Sequence, residues 1–190
     1  MNAQITFTAH STPKKILTNF DLEKIVDTSD EWIKSRTGIK QRYIVEDGEA
    51  SSDISTRIAE KLLQKSEIKA EEIDLIIVGT VTPDHSTPST AAIVQKNINA
   101  CNAWGFDLSA ACSGYIFGLE TGSNFIESGK CQNVMVIGVD TMSSILDFQD
   151  RDTCVIFGDG GGGAILQPTK KGYGIIDSIL NMDGNGGDYL

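Results

Sequence analysis

Cys112 is the side chain best placed to do covalent chemistry. It lies in Phe106-Asp107-Leu108-Ser109-Ala110-Ala111-Cys112-Ser113-Gly114, which continues through Tyr115 to Leu119. Trp104-Gly105-Phe106 reads as a short buried strand, and an amphipathic pattern runs from Tyr115 through Phe125, so the cysteine falls where a strand gives way to a helix. A thiol at such a junction sits near unpaired backbone N–H groups and the positive end of the helix dipole, which favour thiolate and make sulfur a nucleophile. Ser109, Ala110 and Ala111 leave room for a substrate. A lone cysteine is more often a small packed hydrophobe; here the neighbouring residues argue for the nucleophile.

The elements around it follow from pattern. Ile5 to Thr8 reads as a first strand, broken at Pro13, and Asn19 as the cap of a helix carrying Leu22, Ile25 and Val26. Thr28-Ser29-Asp30-Glu31 has capping-box spacing ahead of a helix with Trp32 and Ile33, which Gly38 ends. That stretch collects Trp32, Arg36 and Arg42, and by itself reads as a surface helix with Trp32 anchored in the core. Ser51 and Ser52 cap a longer helix with Ile54, Ile58, Ala59, Leu62 and Leu63 on one face. Ile73 to Val81 is an apolar, β-branched run, the pattern of a strand buried on both faces.

Pro83 and Pro88 bracket a loop holding His85, and Ser89 to Ile98 is helical. Asn133 to Val139 is a third buried strand, and the polar loop from Asp147 to Asp152 contains Arg151. Gly158 to Gly163 matches G-x-G-x-x-G, but a dinucleotide loop needs a helix directly after it, and Ala164 to Leu166 followed by Pro168 reads as a strand and a break. The glycines are therefore expected to form a tight turn where backbones approach closely. Tyr173 to Leu180 reads as a last strand before the flexible turn Asp183 to Gly187. Alternating strands and helices make an α/β chain.

Composition sets the outer limits. With 190 residues, 40% hydrophobic and 22% charged, the chain suits one globular domain. A net charge of −10 argues against nucleic acid or an anionic membrane as partner. The four cysteines, Cys101, Cys112, Cys131 and Cys154, have neither C-x-x-C spacing nor neighbouring histidines, so no metal site and no disulfide framework is expected. Reduced thiols, no signal-peptide pattern and no long apolar run point to a cytoplasmic protein.

Asp107 to Gly114 resembles the nucleophile segment of the thiolase-like condensing enzymes, in particular the ketoacyl-acyl-carrier-protein synthase III family. The resemblance extends to Thr28 to Ile33 with Arg36-Thr37-Gly38-Ile39, to Pro88-Ser89, to Asp150-Arg151-Asp152 and to Phe157-Gly158-Asp159-Gly160, all in the family's order. It implies a thiolase-like fold, a mostly parallel mixed sheet with helices on both faces, and residues 1–190 as its N-terminal half. It implies that Cys112 takes an acyl group from acyl-CoA and that the acyl-enzyme condenses with malonyl-acyl-carrier protein, with no cofactor beyond the coenzyme A thioester as substrate.

By the same resemblance Trp32 and Arg151 sandwich the adenine of CoA, and Thr28, Arg36 and Thr37 line the nucleotide site. An aromatic ring and a guanidinium both stack well on a base. Met142, Ile156, Phe157 and Leu190 fall at acyl-pocket positions, and Thr87 reaches towards a partner subunit's pocket in a homodimer. The family's catalytic His and Asn belong to a homologous C-terminal half that these residues do not include, and His10 and His85 match neither. Alone, the chain is expected not to complete the reaction, and its acidity makes it an unpromising place for the patch that receives an acidic carrier protein. A starter-unit synthase of a polyketide-type pathway and a non-catalytic CoA- or acyl-binding half-domain are the alternatives.

Overall fold

The computed structural model describes residues 1–189. Seven strands and six α-helices follow in the order β1 (Asn2–Ser11), β2 (Lys15–Thr18), α1 (Asn19–Leu22), α2 (Asp30–Thr37), β3 (Gln41–Ile44), α3 (Ser51–Ser66), β4 (Leu75–Gly79), α4 (Thr90–Asn97), β5 (Trp104–Leu108), α5 (Gly114–Glu127), β6 (Val134–Thr141), α6 (Arg151–Cys154) and β7 (Asp159–Thr169). Five strands form one sheet in the order β1-β7-β6-β4-β5, and β2 pairs with β3 in a separate ribbon. β5 and β6 both run parallel to β4, and β7 runs antiparallel to both β6 and β1. Four strands thus share one direction and only β7 opposes them, so the sheet is mixed and mostly parallel in strand direction.

Alternation along the central strands feeds two cores. Ile76 and Val78 of β4 and Met135 and Ile137 of β6 pack with Ile54, Ile58 and Leu62 of α3 and Val94 of α4. Leu75, Ile77, Val134 and Val136 point the other way and pack with Ile126 of α5. Strands buried on both faces need apolar residues at consecutive positions, which is why β4 reads as an unbroken hydrophobic run. A third, smaller cluster of Leu22, Ile33, Cys154 and Val155 lies away from the sheet, with Trp32 packed against it.

Several local expectations are corrected. The β1 strand is longer than Ile5 to Thr8 and carries a bulge between Ile5 and Phe7. Thr18, not Asn19, caps α1, and its hydroxyl accepts from the Asp21 N–H. Asn19 is instead buried and spent on tertiary hydrogen bonds. Ser29, rather than Thr28, caps α2, its Oγ accepting from the Trp32 N–H, while Gly38 ends that helix in the left-handed conformation as expected. Ala50 precedes α3, which frees Ser52 to donate its hydroxyl to Asp84.

β5 is an edge strand, with Trp104 48% exposed, and not a buried one, because among the described residues only β4 pairs with it. The glycines at 160–163 lie inside β7 rather than in a turn. Close approach does explain two of them: a Cβ on Gly161 would stand 2.8 Å from the Gly138 carbonyl oxygen, and one on Gly163 2.9 Å from that of Val136. Residues 173–180 form no strand. They touch the sheet edge through the Ile175 N–H, which donates to Ala3 O, and the Asn2 amide, which donates to Ile175 O, and then leave Ile176 and Ile179 exposed. A strand requires a continuous ladder, and here the chain leaves the edge after these two hydrogen bonds at Ile175.

Candidate active site

Three parallel strands end at one place. Gly79 closes β4, Leu108 closes β5 and Asp140 lies near the end of β6. Carboxyl ends of parallel strands, where the chain turns towards helices on either face, are where open α/β sheets bind ligands. Past Leu108 the chain makes a tight turn: Ala111 has φ +45°, and Ala111–Ser113 form a 3-10 turn leading directly into α5. A non-glycine residue in that region costs about 1 kcal/mol or more, and such strain collects at functional sites. The turn leaves Cys112 exposed just before the helix N-terminus. Among the described residues no acceptor pairs with the Cys112 N–H.

Cys112 lines a cavity of about 660 Å³. Its walls include Val81, Tyr115, Val139, Asp140, Met142 and Phe157, with glycines of β4, β6 and β7 forming the floor. Burial pushes the Tyr115 phenol above its ordinary value, so it stays neutral. Asp140 Oδ1 accepts from the Val81 N–H at 2.8 Å and from the hydroxyls of Thr80 and Thr82 at 3.1 and 3.0 Å, which holds the loop after β4 against β6. Asp107 acts similarly on the other side, accepting from the N–H groups of Thr90 and Ala91 at 2.6 and 2.8 Å and tying β5 to the start of α4.

The residues expected at a nucleotide site form a second group. The guanidinium carbons of Arg36 and Arg151 lie 4.9 and 5.1 Å from the centroid of the Trp32 ring. Trp32 and Arg36 come from α2, and Arg151 opens α6, whose Asp150 cap accepts from the Asp152 N–H. Arg151 also donates to the Asp27 carbonyl at 3.3 Å. Thr37 spends its hydroxyl on the Ile33 carbonyl at 2.7 Å, whereas the buried Thr28 Oγ1 has no partner among the described residues. Arg151, at the start of α6, and Phe157, in the cavity wall, are the ends of seven consecutive residues and so belong to one segment.

Of the expected acyl-pocket residues, Met142 and Phe157 line the cavity with Cys112. Ile156 is 48% exposed and does not, because neighbouring residues leaving a helix face different ways. Thr87 is exposed in the loop before α4, and Leu190 lies outside the described residues. His10 and His85 are both exposed and neither lines the cavity. Val81, Tyr115 and Asp140 were not among the expected site residues. The signal for them was positional, since Val81 and Asp140 follow or end the two most apolar strand runs.

A mixed sheet between helical layers, with a cysteine raised on the turn from strand to helix, defines the thiolase-like class of folds. A family model for 3-oxoacyl-[acyl-carrier-protein (ACP)] synthase III matches residues 106–184. The chain is 58% identical, over 100% of its length and 59% of the relative's, to a beta-ketoacyl-[acyl-carrier-protein] synthase III of Chlorobaculum tepidum. It superposes with a TM-score of 0.86 on the crystal structure of a 3-oxoacyl-[acyl-carrier-protein] synthase III from Aquifex aeolicus, at 48% identity, covering 88% of this chain and 54% of that one. The corresponding Thermus thermophilus structure gives a TM-score of 0.93 at 39% identity, covering 97% and 57%. Along its whole length the chain is similar to the ketoacyl-acyl-carrier-protein synthase III proteins, and it spans somewhat under three fifths of the length of the curated relatives it matches. No helix among the described residues is long and apolar enough to cross a membrane.

Proposed function

We propose that this chain is the acyl-accepting, N-terminal part of a condensing enzyme that starts fatty-acid chains. The observation that carries the reading is Cys112, exposed at the start of α5 and opening into a largely apolar cavity. The Cys112 sulfur attacks the carbonyl carbon of an acyl-CoA, the bond from that carbon to the CoA sulfur breaks, and CoA leaves as its thiolate. Dividing the condensation this way replaces one difficult step by two easier ones. Malonyl-acyl-carrier protein then loses carbon dioxide, the released electron pair at its α-carbon attacks the Cys112 thioester, and the cysteine thiolate departs as the 3-ketoacyl product forms. The His and Asn that promote decarboxylation belong to the remainder of the relatives' length, as does half of the acyl pocket. The working form is a homodimer.

CoA binds with its adenine between Trp32 and Arg151, its phosphates near Arg36, and Thr28 and Thr37 beside it. The spacing supports this with one rearrangement. A base stacked on both sides needs about 7 Å between its neighbours, and Arg151 stands 5.1 Å from the Trp32 ring. The guanidinium must therefore swing out to admit the base. Intact mass spectrometry after incubation with acetyl-CoA tests the nucleophile: an acetyl adduct located on Cys112 and absent from Cys112→Ser supports it. An adduct that survives the substitution would assign the acyl group to another residue.

A further inference from the structure

Arg42 is 5% exposed, yet among the described residues no carboxylate contacts its guanidinium. Its acceptors are neutral and come from three different elements. Nη1 donates to the Leu17 carbonyl of β2 at 3.3 Å and to Asn19 Oδ1 of α1 at 3.0 Å, and Nη2 donates to the Val155 carbonyl at 2.9 Å, just past α6. Asn19 passes the connection on: its amide donates to Asp30 Oδ1 at 3.0 Å and to the Ile39 carbonyl at 2.8 Å. Asp30 is the first residue of α2 and Ile39 follows its end. A hydrogen-bonded chain therefore runs from Val155 through Arg42 and Asn19 to both ends of the helix that carries Trp32.

The β3 strand grips the same segment twice more. A Cβ on Gly158 would stand 2.7 Å from the Arg42 Cβ, so the strand packs directly on the backbone there, and Asp159 Oδ2 accepts from the Val45 N–H at 2.7 Å. Burying a cation without a counter-charge is costly unless its donors are met, and one donor, Nε, has no partner among the described residues. A leucine or methionine would fill this apolar cluster at lower cost, so packing alone does not account for an arginine. A planar fork that reaches several fixed carbonyls at once does.

We propose that Arg42 is a positioning residue that sets the distance between α2 and α6, and with it the jaw formed by Trp32 and Arg151 and the placement of Phe157 in the cavity wall. A lysine offers a point charge without the fork, so Arg42→Lys should let α6 drift from α2. The proposal rests on the CoA site proposed above, and its test separates the two. In a Trp104→Phe background, Trp32 is the sole tryptophan and its emission reports the two guanidinium groups beside it.

Arg42→Lys, and Asn19→Ser as a second variant that leaves the guanidinium in place, should change the Trp32 emission of the free protein. Both should weaken CoA binding by roughly ten- to a hundredfold, the scale of a displacement of about 1 Å in a positioned site. The rate of Cys112 carboxamidomethylation by iodoacetamide, which needs no jaw, should stay within about twofold. Altered emission in a protein whose parent binds no CoA would uphold the positioning role and sink the CoA site. Unchanged emission and affinity in folded variants would overturn the proposal, as would a parallel loss of Cys112 reactivity. Failure of both variants to fold would also overturn it, by making the cluster part of the general core.

Discussion

Gly79, the last residue of β4, lies so close to Gly114, the first of α5, that a Cβ on Gly79 would stand 2.8 Å from the Gly114 carbonyl carbon. This contact seats the helix N-terminus on the strand end, and Cys112 is carried by the turn immediately before it. Gly79→Ala must push the start of α5 outward. Overpacking of this kind costs about 1–3 kcal/mol, and the nucleophile should move with the helix. Thermal unfolding and Cys112 alkylation, measured on the same variant, should both report the change; a variant with wild-type values in each would show that the contact has slack.

Trp32→Ala removes the flat face on which a base would stack. Base stacking on an aromatic side chain is worth about 1–3 kcal/mol, so CoA should bind roughly 5- to 150-fold more weakly. Cys112 should keep its reactivity towards a small alkylating agent, because the ring belongs to the separate cluster around Leu22, Ile33 and Val155. Isothermal titration with CoA and a timed iodoacetamide reaction separate the two effects.

The four thiols should divide into two classes. Cys101 and Cys112 are exposed, whereas Cys131 and Cys154 are buried. Burial pushes both buried thiols above the ordinary value, with Asp74 adding to the effect at Cys131 and Asp150 at Cys154. Thiolate is the reactive form, so near-neutral alkylation should label Cys101 and Cys112 and spare the other two until the protein is unfolded. Peptide mapping by mass reads this directly, and rapid labelling of Cys154 would place α6 in a looser arrangement.

Acid should loosen the first cap in a defined window. The Asp21 carboxyl is lowered from 3.8 to about 2, chiefly by the Thr18 hydroxyl and then by Lys24. A carboxylate favoured in the folded state contributes fully above its unfolded value and loses that contribution as pH falls through the folded one. The start of α1 should thus lose this support between about pH 4 and pH 2. Asp21→Asn should remove that part of the pH dependence, as measured by stability against denaturant across the window, and an unchanged profile would count against the cap.

Much of the architecture was legible because it depends on short-range pattern. The runs Ile73 to Val81 and Asn133 to Val139 have no polar face, which only strands covered on both sides tolerate; β4 lies within the first, and β6 starts in the second and runs two residues past it, to Thr141. The helix face Ile54, Ile58, Ala59, Leu62 is buried as its spacing required. Cys112 at a junction of strand and helix also follows from local composition. Tyr173 to Leu180 failed for the opposite reason: β-branched residues favour a strand but do not supply the neighbour it must pair with.

Tertiary structure alone decided the rest. Whether Asn19 caps a helix or bridges Arg42 to Asp30 depends on residues far from it in sequence. The glycines of β7 look like a turn until β1 and β6 are placed on either side, with β6 and α3 so close to Gly161 and Gly163 that neither has room for a side chain. Trp32 and Arg151 meet, with Arg36 on the same helix as Trp32 and Thr28 just before it, although more than a hundred residues of chain separate α2 from α6. Residue types and local spacing determine which segments are strands, helices and nucleophile. Which of them touch is settled by long-range burial and hydrogen bonding, for which a linear sequence carries no local signal.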